Sequence, residues 1–331
     1  MADKPLRFEV HGMGSLIGQR TLSCRPANRR PGLGLAAALW LVLAAAPADA
    51  QELEPRAYSP NPVGANFIVQ SYVYQSGDVM FDPSLPFSDV EARISAAVAG
   101  YGCTFDLFGR TASFLVMMPY VWGDVEGNVG EEYRAITRSG LGDLRTKFTV
   151  NVFGGPALKP REFAARTPGT MLGVSALLSV PAGQYDPAKL INIGTNRWAF
   201  KPEVGLTHPI GNWTLEAFTG VWLFGDNDNF YGGTLRSQDP LLTFQAHVGY
   251  NFRPRMWLAG DFTYYGGGVV YSDEIPTDTR QSNSRAGLTF ALPFHKQHSI
   301  KVSVARGVTA RVGSDFTTIG IAYQYFWFAK Q

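Results

Sequence analysis

Thr318-Ile319-Gly320-Ile321-Ala322-Tyr323-Gln324-Tyr325 is the last apolar run of the chain, and Phe326, Trp327 and Phe328 follow it directly. Successive side chains of a strand point to opposite faces. Ile319, Ile321, Tyr323, Tyr325 and Trp327 therefore share one face, and Thr318, Gly320, Ala322 and Gln324 the other. A greasy, aromatic face backed by a small or polar one suits a strand with lipid outside and a polar lumen inside. A half-buried strand of a soluble sandwich alternates in the same way. The rest of the chain has to separate the two.

The N-terminal region favours lipid. Arg25, Arg29 and Arg30 precede a run of mostly Leu, Ala and Val from Leu33 to Ala46, and Ala48-Asp49-Ala50 follows. A basic segment, an apolar segment and a small-x-small site make up a secretory signal peptide, which predicts cleavage after Ala50 and a mature chain from Gln51. The apolar run is shorter than the roughly 20 residues of a membrane-spanning helix, and no stop-transfer pattern follows. The stretch before Arg25 is long for the basic segment, which makes Met13 or a neighbour a candidate start. Arg29-Arg30 is not read as a twin-arginine signal, because a barrel has to reach the periplasm unfolded.

Removing residues 1–50 changes the charge balance. The whole sequence carries 29 Lys and Arg against 27 Asp and Glu, and the first fifty residues hold six of the cations but only Asp3, Glu9 and Asp49 of the acids. The remainder is close to neutral, without the basic stripe that nucleic acid requires. Cys24 lies ahead of the apolar run, so no lipoprotein cysteine opens the mature chain. Cys103 is then alone and reads as a small apolar strand residue. No His and Cys cluster has metal-ligand spacing, and no cofactor motif occurs. Gly266-Gly267-Gly268, for example, lacks the following Lys-Ser or Lys-Thr of a phosphate loop.

Beyond residue 62 the chain alternates in short runs separated by turn-rich links. Twelve strands are predicted, at about 63–74, 90–105, 111–122, 141–153, 169–181, 196–208, 212–224, 240–252, 256–268, 282–293, 298–308 and 316–328. Short links at 106–110, 209–212, 253–255 and 294–297 alternate with long ones at 75–89, 123–140, 182–195, 225–239 and 269–281. Outer-membrane barrels have short periplasmic turns and long external loops, so residues 51–331 are expected to form one all-β, antiparallel up-and-down barrel. The segment 154–168 breaks the rule. It is long where a short turn is due, and Leu158 to Ala164 reads as a brief helix with Pro160 near its start. Trp198, Trp213, Trp222, Trp257 and Trp327 fall near predicted strand ends, where barrels place aromatic girdles.

Strand parity sorts the polar residues. Thr243, Gln245, His247, Gly249 and Asn251 oppose Leu242, Phe244, Val248, Tyr250 and Phe252 and must face the lumen. Lys147 joins them opposite Phe148, and Lys201 and Glu203 opposite Phe200 and Val204. Arg145, Glu216, Asp261, Arg285 and Lys301 complete the inward set. An Arg or Lys on the lipid side costs about 2–4 kcal/mol at the bilayer midplane. These charges are expected to pair with one another and act as a unit. Phe114 to Pro119 is apolar on both faces, which implies a greasy or covered lumen wall there. Among the histidines only His247 is predicted inside; no nucleophile motif accompanies it, so a hydrogen-bond network is expected and not catalysis.

Residues Asn151 to Leu158 with Glu162-Phe163, Pro181 to Pro187, Ile191 to Trp198, Phe200 to Glu203, Gly225 to Asp228, Tyr250 to Pro254 and Asn283 to Arg285 are together similar to the phenol-degradation MetA-pathway family of transporter-like outer-membrane barrels. The resemblance covers most of the mature chain. It implies an outer-membrane barrel of a Gram-negative bacterium and uptake of small hydrophobic or aromatic compounds. The order Gly320, Tyr323, Tyr325 also resembles the terminal signal read by the barrel-assembly machinery, although here the chain continues to Gln331. Two functions stay open on the residues alone: a channel or transporter whose mixed charges guide a solute, and a structural or surface-binding barrel whose charges neutralise one another in a closed lumen.

Overall fold

The computed structural model describes residues 53–80 and 87–328. The expected signal peptide lies outside them. Seventeen strands follow in order: β1 (Ala65–Met80), β2 (Phe87–Leu107), β3 (Arg110–Val129), β4 (Glu132–Leu141), β5 (Leu144–Phe153), β6 (Met171–Val180), β7 (Ala199–Ile210), β8 (Trp213–Phe224), β9 (Asn227–Phe230), β10 (Thr234–Gln238), β11 (Leu241–Arg253), β12 (Met256–Gly267), β13 (Val270–Ser272), β14 (Ile275–Pro276), β15 (Gln281–Pro293), β16 (His298–Thr309) and β17 (Gly313–Phe328). Strands β9, β10, β13 and β14 form a small separate sheet.

The other thirteen form one antiparallel sheet that closes on itself. β4 and β5 both pair with β3, β4 against Tyr120 to Val129 and β5 against Ala112 to Met117, so they are two pieces of one stave broken at Gly142-Asp143. The barrel therefore has twelve staves. Its seam joins β1 to β17 from Ala65↔Phe328 to Met80↔Gly313. Closure leaves no edge, the condition for crossing lipid with strands, because an unpaired backbone group has no water to turn to there.

Alternation along each stave sets inside from outside. On β11 Leu241, Thr243, Gln245, His247 and Gly249 are buried while Leu242, Phe244 and Val248 are exposed. On β7 Lys201, Glu203, Gly205 and Thr207 are buried and Phe200, Val204 and Leu206 exposed. The exposed apolar row, repeated around the wall, is the lipid-facing surface of a membrane barrel. Charge is costly within that row, and Lys201, Glu203 and His247 lie in the interior.

Three details depart from the sequence reading. Residues 123–140 are not a loop: β3 runs on to Val129 and β4 returns from Glu132. Arg93 to Glu126 at 3.1 Å, Tyr133 to Glu126 at 2.8 Å and Thr137 to Asp124 at 2.6 Å tie this extension together in polar pairs. A hairpin that stands in water on both faces loses the alternation that betrays a strand. β1 and β2 likewise extend into the expected link at 75–89. The girdle is also thinner than expected. Trp198 and Trp213 are exposed, whereas Trp222 lies 2% exposed beside Lys201 and Trp257 beneath Arg56, because they share the inward parity of Glu216 and Asp261.

The segment after β5 holds helix α1 (Pro160–Ala165), where Pro160 opens the first turn and the Glu162 carboxylate accepts the Lys159 N–H at 2.9 Å. In the greasy stretch of β3, Leu115 and Met117 face an inner cavity and Pro119 an outer one. Phe244→Arg, on the lipid side, is expected to lower the unfolding free energy by about 2–4 kcal/mol. Urea titration of the barrel refolded into lipid vesicles checks this, and an unchanged midpoint would place Phe244 away from lipid.

Candidate functional site

The interior is built from the wall and from two inserts, one entering at each end. At the end carrying the short turns, residues 53–62 run into the barrel ahead of β1. Backbone bonds Ala57 N–H to Glu54 O and Ser59 N–H to Arg56 O, both 3.1 Å, coil this strap into tight turns. Its polar side chains alternate, and each meets a partner on the wall. Glu54 Oε2 pairs with Lys147 Nζ at 2.5 Å. The Arg56 N–H donates to Glu216 Oε2 at 2.9 Å and its guanidinium to Asn251 Oδ1 at 2.7 Å. Tyr58, 1% exposed, donates to Glu203 Oε1 at 3.0 Å and lies 2.9 Å from Ser175 Oγ.

The Tyr58 ring fits because two wall residues have no side chain. A Cβ at Gly173 or at Gly205 would fall within it. Phe218 closes the far side edge-on, with ring centroids 5.0 Å apart. The glycines make a trough across β6 and β7, and Tyr58 fills it.

Around this contact the inward charges fall into separate groups, not the single unit expected. Lys201 Nζ and Glu203 Oε2 are 2.7 Å apart, Lys147 Nζ lies 3.9 Å from Glu203, and Glu54 completes a two-cation, two-anion neck. Each buried charge there has an opposite one in contact, the condition under which such charges are tolerated. Glu216 is held by Arg56 and by the Thr207 hydroxyl at 3.0 Å. His247 Nδ1 and Asp261 Oδ1 are 2.7 Å apart with both side chains fully enclosed, and Thr289 Oγ1 donates to Asp261 Oδ2 at 2.6 Å. Arg285 donates to Thr318 Oγ1 at 2.6 Å and to Phe316 O at 3.2 Å. Arg145 borders the outer side of the neck, and Lys301 lines the inner cavity.

The second insert is the link between β6 and β7, residues 181–198, which folds over the opposite mouth. Asp143, at the break between β4 and β5, accepts from Gly183 N–H at 3.0 Å and from Thr195 N–H and Oγ1 at 2.9 and 2.6 Å. Gly183 and Gly194 pass so closely that a Cβ on either would meet the other's backbone below 3.0 Å. Asn227, fully buried, accepts from Asn196 at 2.8 Å and donates to Thr195 O at 3.2 Å.

Between the inserts lie two cavities. The outer one, about 130 Å³, is walled mainly by apolar side chains with Arg138, Arg145 and Arg197 among them. The inner one, about 370 Å³, is bounded by the strap, β1 to β3, β5 and β16 to β17. A pocket of about 20 Å³ at Glu54, Lys147, Lys201 and Glu203 lies between, and it shares Arg145 and Trp222 with the outer cavity and Met117 with the inner. Among the described residues no group of three or more His, Cys, Asp and Glu side chains could hold a metal ion. Glu54, Arg56, Tyr58, Asp143 and Arg197 escaped the sequence reading. The strap precedes the first strand, and its only signal is the polar alternation Glu54, Arg56, Tyr58.

A closed twelve-stave barrel with a lipid-facing exterior and a charged interior defines the class of outer-membrane β-barrels. Residues 67–325 match the family described as "Putative MetA-pathway of phenol degradation", and the chain belongs to that family. No curated protein matches the sequence. Among solved structures, an outer membrane channel from Pseudomonas putida F1 has a TM-score of 0.71 at 20% identity, covering 83% of this chain and 100% of that one. The shared property is the fold. The β domain of the Bordetella autotransporter BrkA aligns at a TM-score of 0.48 and 10% identity over 79% of this chain and 99% of its own.

Tyr58→Ala removes the ring from its trough and the hydroxyl from Glu203. It is expected to destabilise the barrel by about 3 kcal/mol, the scale of emptying an aromatic site, and to make residues 53–62 accessible to protease added on the strap side. Protection equal to wild type would show that Tyr58 does not anchor the strap.

Proposed function

We propose that this barrel is an outer-membrane channel for small solutes with hydrophobic or aromatic bodies. The observation that carries the reading is the division of the lumen: an apolar outer cavity, a narrow charged neck and a wider inner cavity in series. A general porin keeps a continuous water column. Here a solute has to enter apolar surroundings first, which favours apolar bodies over sugars and salts. It then passes Lys147, Lys201, Glu203 and Glu54, which discriminate by charge. The inserts make the resting lumen narrow, and passage requires the strap to yield. The family and the fold of the Pseudomonas putida channel support the same reading.

Export and assembly belong to this proposal. The signal peptide ending at Ala50 would deliver residues 51–331 to the periplasm, and Gly320, Tyr323 and Tyr325 on β17 would be read by the assembly machinery. The double variant Tyr323→Ala, Tyr325→Ala is expected to lower assembled protein in the outer membrane without reducing periplasmic export. Unaltered membrane levels would remove the signal from this strand.

Planar-bilayer recording tests the channel. Wild type should show small, fluctuating conductance, and deletion of residues 53–62 a larger and steadier one. Glu203→Gln removes a carboxylate between two lysines and should shift ion selectivity toward anions. Silence in both wild type and the deletion variant would instead favour a structural or surface-binding barrel with a closed lumen, the reading to which the enclosed strap contacts would then belong.

A further inference from the structure

The outer cavity is apolar and cationic at once. Ile94, Val121, Ile191, Ile193, Trp222 and Phe224 are among the apolar side chains of its wall. Arg138, Arg145 and Arg197 are the cations in that wall, and Asp143 is the single carboxylate. Its two oxygens take three hydrogen bonds from Gly183 and Thr195, and its one charge offsets only one of the three cations. The cavity thus carries an excess of positive charge inside a hydrophobic shell.

Arg197 is the most confined of the three guanidinium groups. It is 4% exposed, donates from Nη2 to Gln238 Oε1 at 2.5 Å and lies with Cζ 4.5 Å from the centre of the Phe224 ring. Its Nη1 is buried with no hydrogen-bond partner. Burial lowers its pKa to about 10 while Asp143 and Asp226 oppose the shift, so the group stays cationic at neutral pH. A buried cation with a donor to spare wants an anion. Arg138 is partly engaged, its Nε bonding Ile191 O at 3.0 Å and its Nη1 Thr137 O at 2.9 Å.

Size narrows the ligand further. A cavity of about 130 Å³ is close to the apolar cavity of about 150 Å³ that takes up benzene in another protein. A neutral hydrocarbon of that size would leave Arg197 as it is. A compact hydrophilic anion would satisfy the cation but leave the apolar wall wet. We propose that the outer cavity is a binding site for a small apolar monocarboxylate, a single ring or branched chain bearing one carboxylate, with Arg197 as the anchoring cation and Trp222 and Phe224 against the apolar body. The inference rests on reading the lumen as a solute path, and it specifies the class of solute that path admits.

Titration calorimetry of the refolded barrel in detergent tests it with three probes: benzoate, benzyl alcohol as the uncharged ring, and acetate as the charge without the ring. Benzoate is expected to bind saturably, and the other two at least tenfold more weakly. Arg197→Gln should weaken benzoate at least tenfold and leave benzyl alcohol unaffected. Ala96→Phe fills the cavity from β2, leaves all three arginines in place and should weaken benzoate at least as much, so it carries the test if Arg197→Gln does not fold. Benzyl alcohol binding as tightly as benzoate, or benzoate binding unchanged by Ala96→Phe, would overturn the site. Conductance of the same preparations separates the two proposals. A conducting barrel that does not bind benzoate ends the carboxylate site and keeps the channel, whereas benzoate binding in a barrel silent with and without its strap keeps the site and ends the channel.

Discussion

Closure of the sheet is the constraint on which everything else depends. A strand in lipid cannot leave its N–H and C=O groups unpaired, so the last stave has to find the first. β1 and β17 meet over their whole lengths, sixteen paired positions from Ala65↔Phe328 to Met80↔Gly313. Once closed, the wall has no freedom to choose which side chains face inward: parity assigns them stave by stave. Lys147, Lys201, Glu203, Glu216, His247, Asp261 and Arg285 are buried together because each sits one residue from a lipid-facing neighbour.

Closure also creates the problem that the inserts solve. Inward charges in a narrow lumen need partners, and the wall supplies only some of them. Glu54 gives Lys147 a counter-charge, and the Arg56 backbone N–H gives Glu216 a hydrogen-bond donor. Wall and strap are therefore mutually dependent. Glycines at 173 and 205 leave the trough, and the strap brings the one aromatic ring that fills it. At the other mouth Asp143 plays the corresponding part, holding the 181–198 link by three hydrogen bonds where the β4–β5 stave is broken. Loosening either insert means breaking these contacts, Glu54 and Tyr58 with the wall at one mouth and Asp143 with Gly183 and Thr195 at the other.

Several motifs behind the family resemblance acquire a physical meaning in this arrangement. Gly183 and Gly194 permit two loop segments to touch at their backbones. Asn192 bonds Asp186 N–H at 2.8 Å and its carbonyl at 3.0 Å, closing the turn that carries Ile191 and Ile193 into the outer cavity. Asn227 ties the next loop to Thr195 and Asn196. These residues shape a mouth, so their spacing is meaningless to any reading based on strand or helix period.

The sequence by itself determined the wall. Period-two alternation with lipid-compatible side chains on one face is a local property, so the twelve staves, their order and the inward parity of Arg145, Lys201 or Asp261 were legible before any coordinate. The family was legible as well, from short motifs taken together. Only the tertiary structure decided what fills the lumen. Glu54 meets Lys147 across ninety-three positions of sequence, and Tyr58 meets Glu203 across one hundred and forty-five. No local pattern encodes such a contact, because it exists only after the sheet has curved round and brought β5, β6 and β7 to face the strap. Parity says which residues face inward, and register says which of them touch, as where Asp261 meets His247 on the adjacent stave.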